Sequence, residues 1–281
     1  MSFLNRVDIC APPDFSGYRD FRVDGVRVGR VEHDFARRLE AFPDVFHVGA
    51  TSVDLAPDLD GFETRSAVVD GVLRRLADDG LIPGWRDESY PVGPFFAAPQ
   101  LFQMERAAVP LFGVRAYGVH LNGFVRRGDT IDMWIGRRSF DKPVAPGKLD
   151  QIVAGGQPVG LSLADNLRKE SAEEANIPPH LINRARPVGA ISYRTKRSEG
   201  LRDDVLFCYD VELPADFTPV NTDGEMAEFT LWPIRQVAKT VEAGDDFKFN
   251  CALVVIDFLI RHGLIAPDHP DYVALVKGLH G

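Results

Sequence analysis

The chain has 281 residues, 45% of them hydrophobic and 26% charged, which is typical of a protein that can bury a core without disulfides or metal. Its net charge of -9 argues against a nucleic-acid partner held by phosphate contacts, because no basic surplus exists to displace counterions. The three cysteines lie far apart, which argues against a zinc ribbon or a disulfide scaffold.

The N-terminus and the longest apolar run bear on where the protein resides. The apolar stretches of the first fifteen residues are too short and too charged for a signal peptide. The run Ala252–Ile260 is far shorter than a membrane span, and scarce cysteine fits a reducing compartment. We therefore expect a cytoplasmic protein with no membrane and no nucleic-acid partner. The sequence leaves a homodimer open.

Residues 1–110 predict an N-terminal accessory region of mixed α+β character. Apolar residues at helical spacing mark helices at Phe35–Phe42 and Arg65–Asp79. The segment Gly84–Pro91 has the composition of a turn-rich connector that carries large side chains. A boundary near residue 110 is predicted by four prolines: Pro91, Pro94, Pro99 and Pro110.

From residue 111 the pattern becomes that of a sheet. Strands are predicted at Val114–Val125 and Thr130–Gly136, with an Arg-Gly-Asp turn between them. Asp150–Gly156 predicts a short strand that ends in glycines, and Leu163–Asn176 predicts a helix capped by Ser162. The later predicted elements are strands at Val188–Tyr193, Val205–Glu212 and Phe229–Pro233, then helices at Phe249–Arg261 and Asp271–Leu279.

These elements interleave without strict βαβ alternation, which favours an α+β sandwich over a doubly wound sheet. We expect three parts in the chain. Residues 1–110 form the accessory region, residues 111–245 form the main α+β domain, and residues 246–281 form C-terminal helices that pack on that domain.

The predicted helix of residues 163–176 carries the strongest sign of chemistry. Glu170, Glu173 and Glu174 lie at i, i+3 and i+4 and therefore share one face. Crowded carboxylates repel one another unless a cation neutralises them, and Mg²⁺ combines carboxylate oxygens with those of substrate phosphates. The alternative is a solvated helix face. Leu163 and Leu167 continue the same stripe, which favours a face that is turned toward the protein.

Residues Gly155 to Ile177 resemble a Nudix box, whose pattern is G-x5-E-x7-R-E-U-x-E-E-x-G-U with U a bulky aliphatic residue. The residues that match the pattern are Gly155, Glu170, Glu173, Glu174 and Ile177. The residues that depart from it are Leu161 for the first glutamate, Lys169 for arginine, Ser171 for the aliphatic residue and Asn176 for the last glycine. Leu161 supplies no carboxylate, whereas Asn176 tolerates the left-handed backbone that ends a helix.

A wider resemblance covers nearly the whole chain and identifies one Nudix branch. The motifs that carry it are Gly84-Trp85-Arg86 with Glu88 and Tyr90, Trp134 to Ser139, Lys142, Pro146 to Asp150, Ala154-Gly155-Gly156, Asp223-Gly224-Glu225 with Phe229, and Phe247 to Cys251. The branch is similar to the Nudix part of fungal thiamine pyrophosphokinase and to its free-standing relatives in plants, yeast and bacteria. This resemblance implies a Nudix α/β/α sandwich with a mixed sheet.

The resemblance also implies an activity. Members of this branch resemble metal-dependent pyrophosphohydrolases that convert the diphosphate of thiamine, or of an oxidised or altered derivative, to the monophosphate and phosphate. The implied cofactor is Mg²⁺ or Mn²⁺, with Glu170, Glu173 and Glu174 as its ligands. Glu170, Glu174 and Glu225 are the catalytic candidates. Glu228 is the alternative to Glu225, and an ordinary turn carboxylate is the plainer interpretation of Glu225.

Candidate contacts to the small-molecule substrate fall into two groups. Phosphate oxygens suit the arginine forks of Arg137 and Arg138, the ammonium of Lys142 and close backbone approach at Gly155-Gly156. An aromatic ring system suits a wall made by Trp85, Arg86 and Tyr90. The alternatives are a surface strand end for the arginines and contact between two parts of the chain for the aromatic residues.

Three rival functions remain open. The site suits other Nudix substrates, such as nucleoside diphosphate derivatives including ADP-ribose, or isomerisation of an allylic diphosphate. Leu161 also allows a non-catalytic binding module with a decayed site. The seven histidines, among them His120, show no metal-ligand spacing and are expected to be satisfied surface or core residues.

Overall fold

The computed structural model describes residues 2–142 and 144–280. Before the central sheet the elements are α1 (Phe3–Asp8), β1 (Tyr18–Val23), β2 (Val26–Glu32), α2 (His33–Leu39), β3 (Phe46–Val48), β4 (Ser52–Leu55), α3 (Phe62–Asp78), β5 (Ser89–Val92), β6 (Phe102–Glu105) and α4 (Val109–Phe112). The two predicted helices of this part are confirmed as α2 and α3. Its strands are short, and β1 also pairs with the more distant β4, so they left no extended alternation in the sequence.

The N-terminal sheet has the strand order β2-β1-β4-β3. Its buried residues pack in a core that is rich in aromatic side chains. β1 pairs antiparallel with β2 and parallel with β4. Phe21 of β1 is fully buried, and its ring centroid lies 5.1 Å from that of Phe112. Leu73 of α3 and Tyr90 of β5 belong to the same buried cluster. Tyr90 therefore packs in the core of this N-terminal part, and its hydroxyl group reaches Gly156.

The remaining elements build the central sheet and its helices. They are β7 (Arg115–Arg127), β8 (Thr130–Arg138), β9 (Leu149–Asp150), β10 (Val153–Gly156), α5 (Leu163–Ala175), α6 (Pro179–Ile182), β11 (Arg186–Arg197), β12 (Gly200–Glu212), β13 (Met226–Pro233), α7 (Ile234–Ala243), α8 (Phe249–Arg261) and α9 (Tyr272–His280). The strand order is β11-β12-β7-β8-β13, with β10 paired to β7 and β9 to β8.

The central sheet is mixed and is covered on both faces. β12 and β7 run parallel, whereas β7 and β8 run antiparallel. On one face, Leu167 of α5 packs in a buried cluster with Val119 and Leu121 of β7. On the other face, Phe258 of α8 packs in a cluster with Leu206 of β12. This arrangement confirms the predicted α+β class and its α/β/α layering.

Three local predictions need correction. Asp150–Gly156 is not one strand, because β9 and β10 pair with different neighbours and are separated at Gln151 and Ile152. The connector Gly84–Pro91 ends in β5, which pairs with β6. The helix α7 was missed, although it begins directly at the end of β13. From the sequence, Pro233 was assigned to the end of a strand, and no helix was identified in the residues that follow.

Within the part of the chain that the structure describes, no helix combines the length and the hydropathy that crossing a bilayer requires.

Candidate active site

The helix α5 is fixed at both ends by its own sequence. Ser162 Oγ accepts a hydrogen bond from the Asp165 amide (3.1 Å), which caps the N-terminus as predicted. Asn176 takes the left-handed conformation, with φ of 50°, and ends the helix. Near this end, Thr222 Oγ1 donates to the Glu173 carbonyl (2.6 Å). The loop that carries Glu225 is thereby attached to the C-terminal turn of α5.

The three glutamates of α5 differ in their exposure. Glu174 is only 2% exposed, and its Oε2 accepts the Ala154 amide of β10 (2.9 Å). The Glu170 side chain is 12% exposed, whereas that of Glu173 is 49% exposed. The predicted stripe is therefore turned inward at Glu170 and Glu174, and Glu173 lies at its solvent edge.

Burial dominates the electrostatics of the two inner carboxylates. It raises the pKa of Glu174 well above its ordinary value, and the negative charges of Glu170, Asp150 and Glu225 act in the same direction. Burial also raises the pKa of Glu170, although Lys169 opposes this effect. The positive charges and hydrogen bonds of the protein therefore do not fully offset the cost of ionising Glu170 and Glu174.

The donor set of α5 fits a divalent cation. Lys169 Nζ lies 3.1 Å from Glu170 Oε1 and 2.8 Å from Glu173 Oε2, so this single ammonium already bridges two of the carboxylates. Among the described residues, Glu174 accepts one hydrogen bond, from the Ala154 amide. Hard cations such as Mg²⁺ and Mn²⁺ prefer carboxylate oxygens, and a cation here would relieve the repulsion that raises the pKa of Glu174.

The loop glutamates and the predicted phosphate-binding cations form ion pairs with one another. Glu225 pairs with Lys142, and Glu228 pairs with Arg137. Arg138 is buried, and its guanidinium donates to the Asp150 carboxylate (3.0 Å) and to the carbonyls of residues 144 and 145. The two arginines lie on opposite sides of β8, as the strand alternation predicted, and Arg138 holds the following loop.

The glycine pair of β10 separates the glutamates from a cavity. A Cβ on Gly155 would lie 2.3 Å from Glu170 Cδ, and a Cβ on Gly156 would lie 1.5 Å from the Tyr90 hydroxyl. Asn166 of α5 donates to the Gly156 carbonyl (2.8 Å) and holds the helix against the strand. Only glycines allow Glu170 and Tyr90 to approach this strand so closely.

The cavity lies on the Tyr90 side of the glycine pair. Of the residues singled out from the sequence, Tyr90, Gly155 and Gly156 line it. Among the described residues, the lining includes neither Trp85 nor Arg86. Trp85 instead donates to Asp87 (2.8 Å), and Arg86 is exposed.

Sequence reasoning missed several polar residues of the cavity wall. They are Arg106, His120, Arg202, Asp204, Lys248 and Asn250. Lys248 and Asn250 belong to a motif quoted for the family resemblance, but no role was assigned to them. For His120 the available signal was its position in β7, two residues after Gly118, so that both project to one face of the sheet.

A buried hydrogen-bonded network lies beneath this wall. Asp150 is fully buried and accepts from Arg138 Nη1 (3.0 Å) and from the Cys251 thiol (2.7 Å). Burial favours the protonated form of Asp150, but the cations Lys248 and Arg138 outweigh it and lower its pKa. Ligand atoms of His120, Asp150 and Cys251 lie within 4.8 Å of one another. Because two cations already neutralise Asp150, this cluster requires no metal.

His120 gives the network a measurable pH dependence. Burial, and then the charge of Lys248, lower the pKa of His120 from 6.5 to about 4. The unfolded chain therefore binds a proton first, and stability is lost as the pH falls from 6.5 toward 4. At pH 4 the free energy of unfolding is lower by roughly 3 kcal/mol because of this one histidine.

We expect His120→Asn to flatten this dependence, because asparagine retains a donor near the position of Nδ1 but does not titrate. The free energy of unfolding is measured by urea denaturation of both proteins between pH 7 and pH 4. The difference between wild type and variant should change over this range. Parallel pH profiles would show that His120 is readily protonated in the folded state.

A family model described as "Domain of unknown function (DUF4743)" matches residues 3–116. Nudix hydrolase 24, chloroplastic, from Arabidopsis thaliana is 44% identical over 281 residues, which cover 99% of this chain and 77% of that protein. Nudix hydrolase 20, chloroplastic, from the same plant is 44% identical over 290 residues, with the same coverage. An uncharacterized protein of Saccharomyces cerevisiae, YJR142W, is 30% identical over 311 residues, covering 100% of this chain and 90% of that protein.

Among solved structures, the NUDIX domain of Shewanella oneidensis NrtR complexed with ADP ribose has a TM-score of 0.42 and 15% identity, covering 53% of this chain and 90% of that chain. A MutT/nudix family protein from Enterococcus faecalis has a TM-score of 0.43 and 12% identity, covering 58% and 67%.

The two plant relatives contradict the cytoplasmic location that was expected from the sequence, because both are named as chloroplastic proteins. The expectation was wrong for a definable reason. Charge and hydropathy at the N-terminus test for a secretory signal and do not address other destinations.

Proposed function

The chain belongs to the Nudix hydrolase family, and from that membership we propose that it removes one phosphate from thiamine diphosphate or from an oxidised or altered derivative of it. As a member of this family it is a hydrolase of phosphoric anhydride bonds, and Nudix hydrolases generally use a divalent metal. The proposed cation is Mg²⁺ or Mn²⁺, and the proposed products are the monophosphate and phosphate.

One observation supports this proposal above all: two carboxylates with raised pKa values, the partly buried Glu170 and the buried Glu174, lie directly behind a glycine pair that borders a cavity. We propose that Glu170, Glu173 and Glu174 hold the metal. When bound, the cation screens the phosphate charge and lowers the pKa of water. Lys169 would then release the two carboxylates that it bridges.

Glu225 is the proposed acceptor of the proton from the attacking water, in addition to Glu170 and Glu174 as catalytic candidates. Burial tends to protonate Glu225, but the hydrogen bond and charge of Lys142 outweigh it and lower its pKa. Glu225 is therefore ionised at neutral pH, as a general base must be. Its loop is attached to α5, which keeps it close to the metal ligands.

The phosphates are proposed to lie between the glycine pair and the loop after β8. Arg137 and Lys142 would bind phosphate oxygens after exchange of their present partners, Glu228 and Glu225. Arg138 would act through the loop carbonyls that it binds. This division follows from exposure, since Arg138 is buried and Arg137 is not.

The organic group of the substrate is proposed to enter the cavity beside Tyr90. Its walls combine the Tyr90 ring with the carboxylate of Asp204 and with aliphatic side chains, which suits a heteroaromatic ring with polar substituents. Trp85 and Arg86 are proposed as outer contacts, beyond Tyr90. We also propose that residues 1–110, 111–245 and 246–281 are the accessory, catalytic and C-terminal helical parts of the chain.

The proposal is tested in the presence of Mg²⁺ or Mn²⁺ by the release of inorganic phosphate from terminal diphosphates and by the release of AMP from ADP-ribose, whose other product is ribose 5-phosphate. The substrates are thiamine diphosphate, its oxidised and oxygen-substituted analogues, ADP-ribose and nucleoside diphosphates. We expect thiamine-type diphosphates to give the highest kcat/KM. Preference for ADP-ribose would reject the substrate and retain the metal site. No phosphate or nucleotide release from any substrate, together with no metal-induced stabilisation, would identify a non-catalytic module.

A further inference from the structure

The charged residues of the cavity already have partners of opposite charge. Arg106 Nη1 lies 2.7 Å from Glu88 Oε2, and Arg202 pairs with Glu199 (2.9 Å) and with Asp204 (3.4 Å). Lys248 Nζ lies 3.9 Å from the buried Asp150 carboxylate. These cations therefore do not form a second phosphate-binding pocket. The cavity suits a neutral or polar organic group better than a multiply charged one.

His120 presents a different kind of polar atom to the cavity. Its Nδ1 lies 2.9 Å from Gln151 Oε1, and Gln151 Nε2 in turn donates to the Cys251 carbonyl (2.8 Å). The second bond fixes the orientation of the Gln151 amide, so Oε1 is the atom that faces the histidine. A carbonyl oxygen only accepts, and therefore His120 Nδ1 carries the proton.

This tautomer leaves His120 Nε2 as an acceptor. The side chain lines the cavity and is 4% exposed. Among the hydrogen bonds of the described residues, none involves Nε2. Since Nε2 is not enclosed by protein atoms, it can be reached from the cavity, and a ligand that donates to it gains a hydrogen bond there.

We infer that His120 Nε2 selects substrates whose organic group carries an uncharged N–H or O–H donor, with Gln151 as the positioning residue that fixes the histidine tautomer. The inference rests on the proposed function, because it assigns the cavity to the organic group of the diphosphate. The glycine pair provides the spatial link, since Glu170 lies on one side of it and the cavity on the other.

The test compares two diphosphates in the full-length protein with Mg²⁺ at pH 7.5. Thiamine diphosphate carries a ring amine, whereas methyl diphosphate has the same phosphoric anhydride bond and no ring. In His120→Asn, asparagine retains the donor toward Gln151 and lacks Nε2. The kcat/KM ratio of thiamine diphosphate to methyl diphosphate should fall about tenfold, mainly through KM, as expected for one lost hydrogen bond.

His120→Gln is the matched variant, because its amide oxygen can take the position of Nε2 as an acceptor. We expect it to restore most of the ratio. An unchanged ratio in His120→Asn, with thermal unfolding like that of wild type, would overturn the inference. An equal fall for both substrates would overturn it too, because that result indicates a role in structure or in phosphate binding.

Two further measurements separate this inference from the proposed function. If wild type hydrolyses no diphosphate, calorimetry with thiamine, which lacks phosphate, should still show about tenfold weaker binding to His120→Asn. Equal affinities, or no binding to either protein, would overturn the inference. ¹⁵N shifts of the His120 ring should show a protonated Nδ1 and an unprotonated Nε2, and the reverse tautomer would also overturn it.

Discussion

Glu174→Gln is expected to lower the kcat of metal-dependent phosphate release by at least about 10³-fold, because several kcal/mol of charge stabilisation depend on the bound cation. Glutamine preserves the volume of this buried side chain, and its Oε1 can still accept the Ala154 amide. Loss of activity would therefore follow from the lost charge and not from a cavity. Phosphate release is followed with saturating Mg²⁺ on the preferred substrate.

The same variant makes an opposite prediction for stability without metal. The pKa of Glu174 is raised in the folded state, so its ionised form opposes folding above the ordinary pKa of 4.5. Glu174→Gln should therefore unfold at an equal or higher urea concentration at pH 7. In wild type, Mg²⁺ at 100 times its Kd would add about 2.7 kcal/mol, and the variant should lose this gain.

Glu242→Gln is the matched control, since it makes the same change at an exposed position of the helix α7. Neither its kcat nor its stabilisation by Mg²⁺ should change. Wild-type activity in Glu174→Gln would remove the metal site from the proposed mechanism. A strong loss of stability without metal would instead identify Glu174 as a structural carboxylate.

Gly155→Ala is expected to lower kcat at least about 100-fold, because a displacement of catalytic groups by about 1 Å costs that much. The added Cβ would lie 2.3 Å from Glu170 Cδ and 2.6 Å from Glu170 Oε2. The side chain of Glu170 must therefore leave its observed position. The backbone of β10 can remain in place, since this glycine does not have a positive φ.

Gly71→Ala provides the control for a glycine substitution as such. Gly71 lies in the helix α3, and a Cβ there would meet no atom within 4 Å. We expect unchanged kcat and a gain of up to about 1 kcal/mol from helix propensity. Full activity in Gly155→Ala, measured with its Mg²⁺ dependence, would show that Glu170 is not confined to the catalytic position.

Local pattern was sufficient for the elements that carry the glutamates. The helix of residues 163–176 was predicted within one residue of its observed end, because the capping of Ser162 and the left-handed Asn176 depend only on neighbouring residues. Strands β7 and β8 were located because their alternation extends over many residues. The short strands β1 to β4 lacked this signal, and their sheet depends on the parallel pairing of β1 with β4.

The sequence by itself determined the class of the fold, the helix that bears Glu170, Glu173 and Glu174, and the glycines beside it. Only the tertiary structure decided that Glu174 is buried, Glu170 partly buried and Glu173 exposed, and that Tyr90 meets His120 and Lys248 around one cavity. The physical reason is the range of the interactions. Helix periodicity and capping are set within a few residues, whereas the cavity depends on strand register and on packing between residues more than 100 positions apart.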